Sequence, residues 1–141
     1  MATVPILDDA AAGPAARATF DAIRAARGTD YVNNFWRALA ADPPLLAATW
    51  DRLSAVMAPG ALDPLVKEMV YVAVSVANGC GYCIHSHTAA ARARGMTEAQ
   101  LGELLAVIAM ASQTNALATA LQVPIDARFE AGEAPPGAGQ T

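Results

Sequence analysis

Both cysteines and both histidines of the chain lie between positions 80 and 87, as Cys80, Cys83, His85 and His87. On a helix, residues three or four apart share a face, so the two sulfurs could form a reversible disulfide and His87 could accept a proton from Cys83. A place at the start of a helix would favour the thiolate, because the helix N-terminus carries partial positive charge. The same geometry turns His85 to a different face. The segment therefore predicts redox or nucleophilic thiol chemistry.

Glu68 is the only acidic residue between Asp63 and Glu98, and it lies in a strongly apolar stretch, where an unpaired carboxylate would be costly. If the chain reverses at Gly79 into an antiparallel helical hairpin, a rise of about 1.5 Å per residue brings Glu68 and His87 within a turn of each other. We therefore expect direct or water-bridged contact, in which Glu68 orients His87 and His87 activates a cysteine. The alternative is a structural ion pair between Glu68 and an arginine or lysine.

Proline, glycine and capping residues divide the chain into about six helices. Residues 70–76 alternate valine in a strand-like way, but the preceding Asp63-Pro64 start signal and the length of the segment favour a helix. The predicted helices cover residues 14–27, 31–40, 45–57, 64–77, 80–94 and 97–123. We expect a single all-α domain over residues 1–130 and a flexible tail over residues 131–141.

The composition excludes several classes of protein. A net charge of −4 argues against nucleic-acid binding, which favours a basic surface, and two cysteines are too few for a disulfide scaffold. The N-terminal residues lack a signal pattern, which predicts a cytoplasmic protein. Charged residues make up only 16% of the chain, against about 25% in typical domains, which favours a homo-oligomer that hides part of its surface. Polar clusters within the uncharged stretches 69–91 and 104–125 argue against membrane spans and favour buried helices.

The pattern Glu68-x11-Cys80-x2-Cys83-x3-His87 resembles the signature of the alkylhydroperoxidase D-like proteins of the carboxymuconolactone decarboxylase superfamily. The resemblance extends over residues 45–124, and residues 34–39 are similar to peroxidase-related members. It implies an all-α fold whose subunits associate through helices into trimers, hexamers or related oligomers. It also implies thiol peroxidase or disulfide reductase chemistry that uses no haem, metal or other cofactor.

The resemblance implies a role for each residue of the pattern. Cys83 would attack the hydroperoxide substrate and become a sulfenic acid, and Cys80, expected to be the more exposed, would resolve it to a disulfide. His87 would act as the base, and Glu68 would polarise it through a water. A dithiol partner, such as a lipoyl protein or a thioredoxin-like protein, would reduce the disulfide.

Tyr82 and His85 are candidate secondary residues of this site. Tyr82 stands between the cysteines at a position that varies among the proteins the chain resembles, and the four-residue pattern does not require His85. A zinc site is an alternative, because Cys80, Cys83, His85 and His87 are all residue types that bind zinc. Ligands of structural zinc sites, however, usually come from two separated pairs.

Three further interpretations stay open. The superfamily also includes lactone decarboxylases, a lyase activity that does not depend on a CxxC pair. A thioredoxin-type oxidoreductase would need strands alternating with helices around its CxxC, and the sequence predicts none. A non-enzymatic helical assembly module would carry the cysteines as unreactive small hydrophobic residues.

Overall fold

The computed structural model describes residues 2–137 and residue 139. All regular secondary structure in this part of the chain is helical, which confirms the predicted all-α class. The seven helices are α1 (Pro14–Arg27), α2 (Asn34–Leu39), α3 (Pro43–Met57), α4 (Pro64–Ala77), α5 (Gly81–Ala93), α6 (Glu98–Ala120) and α7 (Ala127–Glu130). Six correspond to predicted helices, and the short α7 lies in a segment for which the sequence predicted no helix.

Local capping chemistry sets where the helices begin. The Asp42 carboxylate accepts a hydrogen bond from the Leu45 N–H at 3.1 Å, at the start of α3. Before α6, the Thr97 hydroxyl accepts from the Gln100 N–H at 3.1 Å, and the Gln100 side chain accepts from the Thr97 N–H at 2.9 Å. These reciprocal bonds satisfy amide groups that the first turn of a helix leaves unpaired. Local signals of this kind explain why the starts of α3 and α6 were predicted to within two residues, whereas α2 begins at Asn34 rather than at the predicted residue 31.

The chain divides into two compact units, Met1–Pro64 and Leu65–Thr141. The expectation of one domain over residues 1–130 stays a prediction. The predicted tail over residues 131–141 falls in part on residues 138, 140 and 141, which lie outside the described residues. Residues 131–132, 136–137 and 139 form turns.

The first unit is built around a buried aromatic and aliphatic core. Phe20 and Ile23 lie on one face of α1 and pack with Trp36 of α2 and Leu46 of α3. The Trp36 indole meets the Trp50 indole edge to face, with ring centroids 5.4 Å apart, a geometry that aromatic quadrupoles favour. This core explains how the first unit holds its three helices together.

The second unit contains the candidate chemical residues. The buried positions of α4 are Glu68, Val72 and Ser75, spaced four and three residues apart on one face. The Ser75 hydroxyl donates to the Tyr71 carbonyl of its own helix at 2.7 Å. Glu68 is thus the one charged side chain that α4 buries.

Helix α6 differs from expectation. Among its residues only Ile108 is buried, and only 6% of its most apolar 18-residue window is buried within the chain. The prediction that residues 104–125 form a buried helix is therefore wrong for this chain taken alone, because a low charge content does not tell which surface covers a helix. By length and composition α6 could also cross a membrane, which is weak evidence on its own.

Candidate active site

A tight turn between α4 and α5 assembles the site. Helix α4 ends at Ala77, and Gly79 adopts a left-handed conformation with φ of 67°, which glycine reaches without steric cost. Cys80 is the N-cap residue of α5, and its sulfur accepts a hydrogen bond from the Cys83 N–H at 3.2 Å. The cysteine pair therefore lies at the helix start, as predicted.

Cys80 and Cys83 form a disulfide with a Cα–Cα distance of 5.3 Å. Both residues are partly buried. They stand in the first turn of α5, where the exposed amide groups of the helix create partial positive charge. The chain is thus described in its oxidised form.

Glu68 and His87 are in direct contact. Oε2 of Glu68 lies 2.8 Å from Nδ1 of His87, and the two side chains are only 5% and 19% exposed. The sequence left open whether the contact would be direct or water-bridged, and the resemblance implied a water; the structure has the direct contact. Because residues four apart on a helix are neighbours, His87 stands one turn after Cys83 on α5.

Arg94 is a second partner of Glu68. Its Nε donates to Oε1 of Glu68 at 3.2 Å, so each carboxylate oxygen has a nitrogen partner. Burial alone would raise the pKa of Glu68, but the hydrogen bond and charge of His87, followed by those of Arg94, outweigh it and lower the pKa below its ordinary value. The structural ion pair that the sequence offered as an alternative therefore coexists with the contact to His87.

The ionised state of Glu68 determines which imidazole nitrogen carries hydrogen. A carboxylate has only acceptor sites, so in this contact Nδ1 of His87 must be the donor. In neutral His87, Nε2 then holds the free lone pair and is the nitrogen that can accept a proton. The pair thus presents Nε2 of neutral His87 as the proton acceptor.

Tyr71 covers one face of the His87 imidazole. The two ring centroids are 3.5 Å apart and the ring planes differ by 17°, a stacked arrangement. Tyr71 lies one turn after Glu68 on α4, so the same helix face supplies both contacts to His87. Sequence analysis missed Tyr71 and Arg94 as site residues; the signals were their spacing, three residues after Glu68 and seven after His87.

Tyr82 and His85 are both exposed on α5. His85 lies two residues from Cys83, which turns it away from the face that carries His87, as predicted. Within the described residues, no group of three or more His, Cys, Asp and Glu side chains is arranged to hold a metal ion.

The chain is all-α, carries a CxxC disulfide at the start of a helix, and has a buried glutamate in contact with a histidine of that same helix. These features together define a class of helical CxxC proteins. The chain belongs to the carboxymuconolactone decarboxylase family, whose model matches residues 43–126.

Known relatives agree with this assignment. The chain is 39% identical over 71 residues to an alkyl hydroperoxide reductase AhpD from Solibacter usitatus, and 36% identical over 67 residues to an uncharacterized protein from Cupriavidus necator. These matches cover 50% and 48% of this chain, and 38% and 59% of the relatives. The chain therefore spans less than two thirds of the length of either.

A solved structure is similar over nearly the whole chain. It is the alkylhydroperoxidase AhpD core from Rhodospirillum rubrum, which is 61% identical, with a TM-score of 0.88 over 92% of this chain and 97% of that one. The protein is therefore an AhpD-like member of the family with the AhpD-like fold.

Proposed function

We propose that the protein is a thiol-dependent peroxidase, or disulfide oxidoreductase, that reduces hydroperoxides through the Cys80–Cys83 pair. One observation carries the proposal: the disulfide stands one helical turn before His87, whose imidazole is held by the buried carboxylate of Glu68. The names of AhpD relatives support the same activity.

The reaction begins with the reduced pair. Nε2 of His87 takes the proton of the Cys83 thiol, and the thiolate attacks the terminal oxygen of the hydroperoxide ROOH. The O–O bond breaks, the sulfur is oxidised to a sulfenic acid, and the alkoxide takes the proton from His87 and leaves as ROH. Cys80 then attacks the Cys83 sulfur; an S–S bond forms and hydroxide leaves, which takes the Cys80 proton to become water.

A dithiol must close the cycle. Thiol–disulfide exchange with a lipoyl protein or a thioredoxin-like protein would supply two electrons and two protons, which restore both thiols and leave the reductant as a disulfide. Because the cytoplasm keeps thiols reduced, we expect the protein to work there. The described oxidised pair corresponds to the end of the peroxide half-reaction.

Turnover of an alkyl hydroperoxide with a dithiol reductant tests the proposal. We expect Cys83→Ser to abolish peroxide reduction, and Cys80→Ser to react once and stop as a sulfenic acid that a dimedone probe labels. We expect His87→Ala to lower the rate by about 10²- to 10⁴-fold. The matched control is His85→Ala, which alters an exposed histidine of the same helix. Cysteine variants that behave as wild type would refute the mechanism.

The same samples decide between this proposal and its rivals. Stoichiometric zinc that protects both thiols from titration would replace the redox proposal with a metal site. Decarboxylation of a lactone substrate that survives in the Cys80→Ser/Cys83→Ser double variant would assign lyase chemistry instead. Unreactive thiols in an assembled protein would favour an assembly module.

We also propose that α6 packs against a second copy of the chain, giving a trimer or hexamer. Large apolar side chains stand exposed along α6, among them Leu105, Val107, Met110 and Leu117. The hydroxyl of Ser112 donates to the Ile108 carbonyl of its own helix at 2.8 Å. Its hydrogen is therefore already bonded and does not need water as a partner. An exposed apolar surface of this kind favours association with a similar surface.

A further inference from the structure

Tyr71 makes a contact with His87 that the proposed chemistry does not yet use. Its ring stacks on the imidazole with the ring centroids 3.5 Å apart and the planes 17° from parallel, while Oε2 of Glu68, one turn earlier on α4, lies 2.8 Å from Nδ1. Two residues one turn apart on α4 therefore contact His87 in two different ways. The first contact acts along the normal to the imidazole plane, and the second acts within that plane.

Two constraints in these directions define the orientation of the ring. A hydrogen bond at Nδ1 fixes where one edge of the imidazole points. Within the range that its Cβ–Cγ bond allows, however, the ring can still swing about the hydrogen bond between Nδ1 and the carboxylate oxygen. A flat surface against the ring face removes that swing. With both contacts in place, the direction in which the lone pair of Nε2 points is fixed. That nitrogen is the proton acceptor in this tautomer.

Burial makes Tyr71 suitable for this task. It is partly buried on α4 next to the buried Val72, and its carbonyl accepts the buried Ser75 hydroxyl at 2.7 Å. The backbone that carries the ring is thus held in a regular helix turn. An aliphatic side chain at position 71 would occupy similar space without offering a flat face to the imidazole.

We propose that Tyr71 is a positioning residue that sets the plane of the His87 imidazole and so aims Nε2 for proton transfer. The inference rests on the proposed function in one respect, that His87 serves as the base for a cysteine. It assigns the role to the aromatic ring and none to the phenol hydroxyl. Phenylalanine should therefore substitute for Tyr71, and leucine should not.

The first measurement is spectroscopic. The chain has two histidines, so the spectrum of His85→Gln assigns the imidazole signals of His87. We expect the ring current of Tyr71 to shift the His87 ring protons upfield in the wild type and in Tyr71→Phe. In Tyr71→Leu these protons should return toward their positions in an unstacked histidine.

The second measurement is chemical and needs no peroxide. Iodoacetamide alkylation of reduced protein, followed at Cys83 by mass spectrometry, reports how readily that thiol ionises. We expect Tyr71→Leu to slow alkylation about tenfold, toward the rate of His87→Ala, because misplacing a base by a fraction of an ångström lowers its effectiveness. Tyr71→Phe should restore the wild-type rate, and the control Tyr31→Leu, at an exposed tyrosine of the first unit, should leave it unchanged.

Each outcome decides the proposal. A wild-type alkylation rate in folded Tyr71→Leu overturns it, and so does a slow rate in Tyr71→Phe, which would assign the role to the hydroxyl. If Tyr71→Leu does not fold, Tyr71→Met takes its place, and the same two rates decide. A wild type that turns over no hydroperoxide refutes the proposed function, yet the alkylation and spectroscopic results still support or refute the role of Tyr71.

Discussion

Oε2 of Glu68 lies 2.8 Å from Nδ1 of His87, while the other oxygen of the same carboxylate lies 3.2 Å from Nε of Arg94. A buried carboxylate thus holds one titratable and one permanently charged partner. Against the effect of burial, the hydrogen bond and charge of His87, and to a smaller extent those of Arg94, lower the pKa of Glu68 and keep it an acceptor. Nδ1 of His87 can donate to this carboxylate in the neutral and in the protonated imidazole alike, because this nitrogen carries a hydrogen in both forms.

We expect Arg94→Gln to lower the free energy of unfolding by about 1 kcal/mol, since it removes one donor from a buried carboxylate. The value is modest because the Arg94 side chain is 42% exposed, and water can replace part of the contact. Urea denaturation measures it. The matched control is Arg92→Gln two residues earlier, whose partner Glu98 is 73% exposed; that variant should unfold as wild type. Equal losses in the two variants would contradict the special place of Arg94.

The stability contributed by Glu68 should depend on pH. Its pKa in the folded chain is lower than its ordinary value of 4.5, so the unfolded chain binds the proton more tightly. The contribution is therefore complete above about pH 4.5 and is lost as the pH falls through the folded pKa.

Glu68→Gln tests this dependence. We expect it to unfold more easily than wild type near neutral pH, by about 1–3 kcal/mol, and the gap should narrow below pH 4.5. Denaturation curves at several pH values measure the gap. The control is Glu98→Gln, which removes an exposed carboxylate and should show little gap at any pH. A gap that is constant in acid would argue against an ionised Glu68.

Cys80 is expected to have a structural role besides its chemical one, because it is the N-cap residue of α5. In reduced protein, Cys80→Ser should keep the helix start, since serine is among the best N-cap residues, whereas Cys80→Ala should cost about 0.5–2 kcal/mol. Thermal melting under reducing conditions measures the difference. Two variants of equal stability would show that the sulfur does not cap the reduced helix. The serine variant is therefore the better test of the resolving step.

Val107→Glu should disrupt the proposed association through α6. A buried unpaired carboxylate is costly at an apolar interface, while glutamate is a good helix former and leaves α6 itself intact. Sedimentation velocity should then show smaller species than in the wild type. Tyr31→Glu adds the same charge at an exposed position of the first unit and should leave the assembly unchanged. A wild type that is monomeric, or that requires detergent or lipid, would refute association between copies.

The features that could be predicted from the sequence are those that depend on residues close together in the chain. Helix starts such as Asp42 and Thr97 were predictable because capping depends on residues three positions away. The proximity of Glu68 and His87 was also predictable, because a single turn at Gly79 relates two regular helices.

Other features depend on the directions of side chains, which the spacing of residues along the sequence does not reveal. From the sequence, Arg94 could equally have served to complement the dipole at the C-terminus of α5. Its contact with Glu68 depends on the direction that its long, flexible side chain takes. The stacking of Tyr71 depends on a ring plane. The exposure of α6 was missed because an apolar helix has the same composition whether its own chain or another molecule covers it.

The turn at Gly79 also has a consequence for how the site forms. The Glu68–His87 contact joins residues 19 positions apart, and the Arg94–Glu68 contact joins residues 26 apart. Closing short loops costs little chain entropy, and native contacts of short sequence separation form rapidly. We therefore expect the Glu68–His87 contact to form as soon as α4, the turn and α5 have formed, early in folding.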